Sequence, residues 1–287
     1  MAVESVLRQD FRDFELLVVD DGSTDGTMDA LAAITDPRLR CLANPRNMGP
    51  GAARNTGIRA ARADWIAFQD SDDEWLPQKL GKQMARLEGL DRAVVACYTG
   101  MIILGRPESG RQGRPVVTYI PGPEERVVDG DLQEALFARS FISTQMLMAR
   151  RDVLVDIGGF DEAFEALGDW DCVIRLAQRG RFACIDEPLV IQNFSDNSIT
   201  HSNPKRLRSR IRLIGKYHDA LSARPKILAA HHIAVAGEQR RAGDIADARA
   251  SLVVARRNRP CSPAIWLRSV WLLGLSLLPH KGLSPGS

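Results

Sequence analysis

WIAFQDSDDEWLP, residues 65–77, decides the fold. Trp65, Ile66, Ala67 and Phe68 form a short apolar run with the character of a buried strand, and it ends directly in Asp70, Ser71, Asp72 and Asp73. Three carboxylates within four positions repel one another, and the repulsion is tolerable only where solvent or a cation neutralises it. Mg2+ or Mn2+ takes oxygen ligands, commonly one or two carboxylates, and fills its other positions with water and phosphate oxygens. The D-x-D of Asp70 and Asp72 fits that chemistry. It fits equally an Asp-rich turn capping a helix that starts near Pro77, because Asp is a good N-cap and Pro suits a first turn. The residues alone leave both readings open.

Upstream, the same grammar recurs. Ala2 to Leu7 has helical spacing, and Phe14 to Val19 (FELLVV) reads as a strand that ends in Asp20, Asp21, Gly22, Ser23, Thr24, Asp25, Gly26 and Thr27 before a helix over Met28 to Ile34. In open α/β sheets ligands bind just outside the carboxyl ends of strands, so Asp21 is placed to accept hydrogen bonds from a base or ribose. A capped turn would explain Ser23 and Asp25 but not Asp20 and Asp21. A short strand at Arg38 to Leu42 leads into a loop, Asn44 to Gly51, and a helix over Ala52 to Ala61. A helix start of this kind offers N–H groups and a positive dipole end to an anion, and Arg54, one turn in, is within reach of a diphosphate. Repeated strand, turn and helix predict an α/β fold with a mainly parallel mixed sheet flanked by helices.

DDGSTDGT (Asp20 to Thr27), N-x-G-x-G-x-ARN (Asn47 to Asn55) and QDSDDEWLP (Gln69 to Pro77), in this order and spacing, resemble the nucleotide-sugar half of the family 2 glycosyltransferases, whose fold is called GT-A. The resemblance implies that Asp21, beside Asp20, recognises the nucleotide base, that Arg54 and Asn55 lie near the donor, and that Asp72 with help from Asp70 binds Mn2+ or Mg2+ at the diphosphate. Further on, Val94 to Thr99 and Ser143 to Ala149 read as strands, Gly105 to Pro123 as an acceptor loop, and Asp131 to Ala138 as a short helix. GGFDE (Gly158 to Glu162) followed by Asp169, Trp170 and Asp171 at a helix start resembles the family's acceptor signature, and by that resemblance Asp169 is the catalytic base.

Chemistry gives that role an independent reason. Transfer with inversion needs an acceptor hydroxyl stripped of its proton as it attacks, which suits a carboxylate in a dry cleft. The leaving diphosphate gathers charge that a divalent ion can stabilise by several kcal/mol. The plain alternative for Asp169 and Asp171 is compensation of a helix N-terminus, worth about 0.3–1 kcal/mol each, and it is the stronger reading for Asp171. Three departures from the family stand out. The usual opening strand with its P-T-Y-N-like turn is absent, so either the start lies upstream of Met1 or the chain is a truncated product. Gly168 stands where Glu often precedes the base, and Phe194 where a metal-side His is common, with His201 nearby.

Beyond Thr200 the strand pattern stops. Lys205 to Ala223, Ile227 to Arg241 and Ile245 to Arg257 read as helices, the last two as a hairpin around Gly243. Pro263 to Pro279 is apolar but shorter than the roughly 20 residues needed to span a bilayer, which leaves an interfacial helix or a buried one. The expected parts are a GT-A domain over 1–200, a basic helical extension over 201–260, and an apolar C-terminal helix and tail over 261–287. Charge follows the same boundary. Residues 1–200 carry 22 Lys or Arg against 32 Asp or Glu, while 201–259 carry 14 against 4, within an overall net charge of +2. No nucleic-acid motif accompanies the basic segment. Five scattered cysteines without a C-x-x-C pair suggest neither a disulfide framework nor a zinc site, and point to a reducing cytoplasm. Arginine-rich, lysine-poor usage hints at a bacterium.

The function expected is an inverting, metal-dependent glycosyltransferase of hexosyltransferase type. It would move a single sugar from a nucleotide-diphosphate sugar, by resemblance a UDP-sugar, to a glycan or lipid-linked acceptor in envelope polysaccharide synthesis. No Q-x-x-R-W motif of processive synthases is present, which favours single transfer. The expected setting is cytoplasmic, with peripheral contact at the inner membrane face through the C-terminal helix as one option. A non-catalytic scaffold derived from a truncated transferase and a nucleotidyltransferase are the alternatives.

Overall fold

The structure is a computed structural model that describes residues 1–105, 117–122, 129–193 and 203–276, with 271–276 as helical backbone only. Most of the Gly105 to Pro123 loop, Phe194, His201 and the tail after Ser276 lie outside the described residues. The chain divides into two compact units, Met1–His201 and Ser202–Ser287.

The first unit opens with α1 (Ala2–Leu7), β1 (Leu16–Asp20), α2 (Thr27–Ala32), β2 (Leu39–Ala43), α3 (Pro50–Ala60) and β3 (Trp65–Ala67). It continues through β4 (Glu74–Trp75), α4 (Lys79–Leu87), β5 (Val94–Leu104), β6 (Val117–Ile120) and α5 (Gln133–Ala138). A 3-10 turn at Thr144–Met146 leads to β7 (Leu147–Arg150), α6 (Arg151–Asp156), α7 (Gly168–Ala177) and β8 (Arg181–Asn193). β1 and β2 pair in parallel as a two-stranded sheet. The larger sheet runs β3-β7-β5-β8-β4, with β6 added to β5. It is mixed: its longest ladder, β5 on β8, is parallel, and β3, β4, β6 and β7 join antiparallel.

β5 is the spine. Val95 to Tyr98 and Met101 are buried there, as burial on both faces of a central strand requires, and α7 contributes Trp170, Val173, Ile174 and Leu176 to the same core. Trp170 donates its indole N–H to the Leu136 carbonyl at 2.6 Å, so the α7 start is pinned to α5 by a buried ring whose polar atom is satisfied. A helix does begin close to Pro77, but the Asp-rich turn does not cap it: Gln78 is its N-cap, without a side-chain bond. Glu74 and Trp75 instead pair with Ile191 and Val190, and the helix waits until Lys79. Burial of Trp75, which donates to the Gln145 carbonyl at 3.2 Å, outweighs the local capping preference. Ser143 to Ala149 likewise splits into the 3-10 turn and β7.

The second unit holds α8 (Asn203–Lys216), α9 (His218–Ser222), α10 (Pro225–Ala242), α11 (Ile245–Asn258) and α12 (Pro263–Ser276). Gly243 ends α10 in the left-handed conformation, φ 89°, and returns the chain antiparallel. Ala236, Ala248 and Leu252 close the α10–α11 seam, and Ala229, Ala255 and Ile265 seat α12 on it.

Candidate active site

The acidic turn after β3 sorts its three carboxylates. Asp73 is buried; Gln145 Nε2 donates to its Oδ2 at 2.7 Å and the Asn193 N–H to its Oδ1 at 3.2 Å. Burial, with Asp70 and Asp72 close by, pushes its carboxyl up to about 7. Asp70 turns the other way and accepts from Arg54 Nη2 at 2.7 Å. Asp72 is exposed, its carbonyl accepting from Asn193 Nδ2 at 3.4 Å. Asp73 thus fixes the turn to the 3-10 turn before β7 and to the end of β8, and leaves two acids at its outer side.

α3 carries Arg54 into the same place. Its guanidinium lies over the Phe160 ring at 5.3 Å, and Phe160 meets Phe68 edge-on at 5.3 Å. Asn55, the next residue, is engaged elsewhere: its Nδ2 donates to the Phe160 carbonyl and Glu162 Oε1, and its Oδ1 accepts from the Phe160 N–H at 2.7 Å. Gly159 makes this clamp fit. Its φ is 68°, and a Cβ there would sit 2.2 Å from Asn55 Oδ1. Motifs more than a hundred residues apart therefore form one wall.

The loop before α3 is also tied from within. The Asp21 carboxylate accepts from Asn44 Nδ2 at 2.7 Å, from the Met48 N–H at 3.1 Å and from the Gly49 N–H at 2.7 Å. Asp21 is thus held by the loop that leads into α3, and the loop 44–49 takes its shape from that carboxylate. Asp20 is buried and accepts from the Ser23 N–H at 3.2 Å, closing the turn after β1.

α7 brings the remaining acids. Leu167, its N-cap, has φ 58°, a conformation that costs a β-carbon residue about 1–2 kcal/mol and aims the first turn. Asp169 accepts from the Trp170 N–H at 2.8 Å. Burial raises its carboxyl above the usual range; the Trp170 N–H and the Arg54 charge pull it back, and Asp70 pushes it up again. Asp169, Arg54 and Asp70 therefore share one electrostatic cluster, drawn from α7, α3 and the β3 turn. Asp171 goes to the interior. It is fully buried against Arg175, whose Nε donates to it at 2.8 Å and whose Nη1 donates to the Ile157 carbonyl at 2.8 Å.

Among the described residues no group of three or more His, Cys, Asp or Glu side chains is arranged to hold a metal. Asp72, with Asp70 partly committed to Arg54, matches an ion that takes one or two carboxylates and completes its shell from phosphate and water, rather than one closed by protein ligands. Glu162 stands in the GGFDE motif, but its role as the partner of Asn55 is not marked there. Its partner Asn55 is 107 positions away, and no local pattern marks such a pair.

The sequence profile of glycosyl transferase family 2 matches residues 1–158. The succinoglycan biosynthesis protein ExoO of Rhizobium meliloti (strain 1021) is 36% identical over 168 residues, 55% of this chain and 48% of that protein. The Escherichia coli UDP-Glc:alpha-D-GlcNAc-diphosphoundecaprenol beta-1,3-glucosyltransferase WfaP is 40% identical over 86 residues, 30% of this chain and 34% of that one. The chain thus spans about half of ExoO and a third of WfaP. Among solved structures, the mannosyltransferase PcManGT from Pyrobaculum calidifontis, in complex with GDP-Man and Mn2+, superposes with a TM-score of 0.58 at 20% identity, covering 96% of this chain and 75% of that one. That likeness shows a shared GT-A fold.

Proposed function

The chain belongs to glycosyl transferase family 2, and on that premise we propose that it transfers a single sugar, with inversion, from a nucleoside diphosphate sugar to a glycan or lipid-linked acceptor of the bacterial envelope. The observation that carries the reading is the cluster of Asp169, Arg54 and Asp70, in which a carboxylate with raised proton affinity lies beside a guanidinium–carboxylate pair. Asp169 takes the proton of the acceptor hydroxyl as its oxygen bonds to the anomeric carbon, and the nucleoside diphosphate departs with the electron pair of the broken bond. Arg54, which donates to Asp70, has further N–H groups to turn toward the diphosphate. Asp72 and Asp70 would hold Mn2+ or Mg2+, which when bound supplies positive charge against the departing diphosphate. Asp20 and Asp21 shape the nucleoside side through the turn after β1 and the 44–49 loop, and Asn55 locks that wall to the acceptor segment.

A UDP-sugar donor and a polyprenyl diphosphate acceptor are supported by what WfaP is named for, and a divalent ion by what PcManGT is described with. The free cysteines suit a reducing compartment. The test is release of nucleoside diphosphate from UDP- and GDP-sugars with Mn2+, with and without a polyprenyl diphosphate-linked acceptor. Acceptor-dependent release supports the reading. A folded chain that releases nothing with any donor and acceptor would move the assignment to a non-catalytic scaffold.

A further inference from the structure

We infer that α12 is a membrane-surface anchor, which seats the second unit on an anionic lipid bilayer. The helix has two unlike faces. Ile265 is 1% exposed and packs on Ala229 and Ala255, which fixes the rotation of the helix against α10 and α11. At about 100° per residue, Leu267 and Val270 fall on the side away from that seam, with Trp266 between them and its edge. Their exposures are 46%, 71% and 61%. Leu267 and Val270, with about half of Trp266, present apolar surface to solvent, a cost in solubility that their burial in this fold does not offset.

Trp266 is held in place. Its indole donates to the Pro260 carbonyl at 2.7 Å, and the Arg256 guanidinium stacks over the ring at 4.4 Å. A ring whose polar edge is already satisfied can enter an acyl boundary without leaving an unpaired donor there. Arg257, next to Arg256 on α11, and Arg268, next to Leu267 on α12, are exposed.

Charge selects the occupant. Residues 202–287 carry 16 Lys or Arg against 4 Asp or Glu, a balance of +12. A second copy would bring the same charge to the same face and be repelled. A nucleic-acid backbone would meet the arginines but give Leu267 and Val270 no apolar partner. An anionic bilayer surface satisfies both, with phosphates for the guanidinium groups and acyl chains for the apolar face. Crossing is a different matter: among the described residues no helix is long and apolar enough to span a membrane. The inference stands whether or not sugar transfer is the chain's reaction.

Flotation of the full chain with lipid vesicles tests it, one set phosphatidylcholine alone and one with about 30% phosphatidylglycerol. The chain should float with the anionic vesicles and not with the neutral ones, and lose binding as salt is raised to about 0.5 M. The double variant Leu267→Glu, Val270→Glu should bind anionic vesicles at least about tenfold less while melting as the parent does, since both positions are exposed. Arg257→Ala with Arg268→Ala should weaken binding a few-fold at low salt only. Absence of flotation, equal flotation with both vesicle types, or an unchanged Glu variant would overturn the anchor. A dimer seen without vesicles and lost in the Glu variant would overturn it in favour of a second copy.

Discussion

The turn at Asp70, Ser71 and Asp72 and the start of α7 at Asp169, Trp170 and Asp171 have the same carboxylate spacing on different backbones. On the helix, residues two apart point to opposite sides, so Asp169 and Asp171 are separated at once into a half-buried acid beside Arg54 and Asp70 and a core acid. On the turn both acids of the D-x-D stay outside, and the structural duty falls to Asp73, which takes Gln145 and Asn193 as partners. Each segment thus spends one acid on architecture. Which acid is spent depends on backbone geometry, not on spacing, and the comparison can be broken or sharpened by replacing each in turn.

The largest effect is expected at the half-buried acid of α7. Asp169→Asn should lower turnover by about 10³-fold, within the range for removing a general base, while its melting temperature stays near that of the parent. A comparable loss of turnover in Asp171→Ala without loss of stability would erase the distinction between the two. Instead Asp171→Ala should cost about 3 kcal/mol of folding free energy, because Arg175 is left as a buried charge without its carboxylate, and denaturant titration reads this directly.

A smaller change is expected at Asp73, the core acid of the turn. Its folded carboxyl is raised to about 7 against 3.8 unfolded, so whatever favours the folded state is fully present below about 4 and fades as pH rises through 7. Asp73→Asn, in chelator, should therefore match the parent near pH 4 and exceed it at pH 8 by at least about 1.4 kcal/mol, the worth of one pH unit of that rise, provided the Gln145 amide turns to accept from the new Nδ2. A stability difference that does not grow with pH would show that Asp73 is not strained by its neighbours. The smallest effect belongs to Gly168, where a Cβ would meet only the Phe164 Cβ at 3.6 Å. Gly168→Ala should add roughly 0.5 kcal/mol to stability and leave turnover intact, by cutting the freedom of the unfolded chain.

The sequence carried the local half of this picture well. Apolar runs ending in acids marked β1 and β3, the Gly-rich loop marked the start of α3, and α10, α11 and α12 fell within a few residues of their expected places, while the one helix expected over Lys205 to Ala223 is two, α8 and α9, broken at Tyr217. Strand polarity was not legible, because an apolar run has no direction: β7 and β3 join antiparallel, and only pairing reveals it. Asn55 and Asp21 illustrate the other limit. Whatever their part on the donor side, their side chains also hold Phe160, Glu162 and the 44–49 loop, contacts set by the folded chain rather than by any window of sequence. The half-buried acid and the core acid on α7 were told apart only by the resemblance and by helix geometry.

The measurement that bears most directly on the division between donor and acceptor acids is calorimetric titration of UDP with Mn2+ into the parent, Asp72→Ala and Asp169→Asn. The account predicts Mn2+-dependent binding by the parent and by Asp169→Asn, and its loss in Asp72→Ala. A folded Asp169→Asn that loses UDP as completely as Asp72→Ala would contradict it.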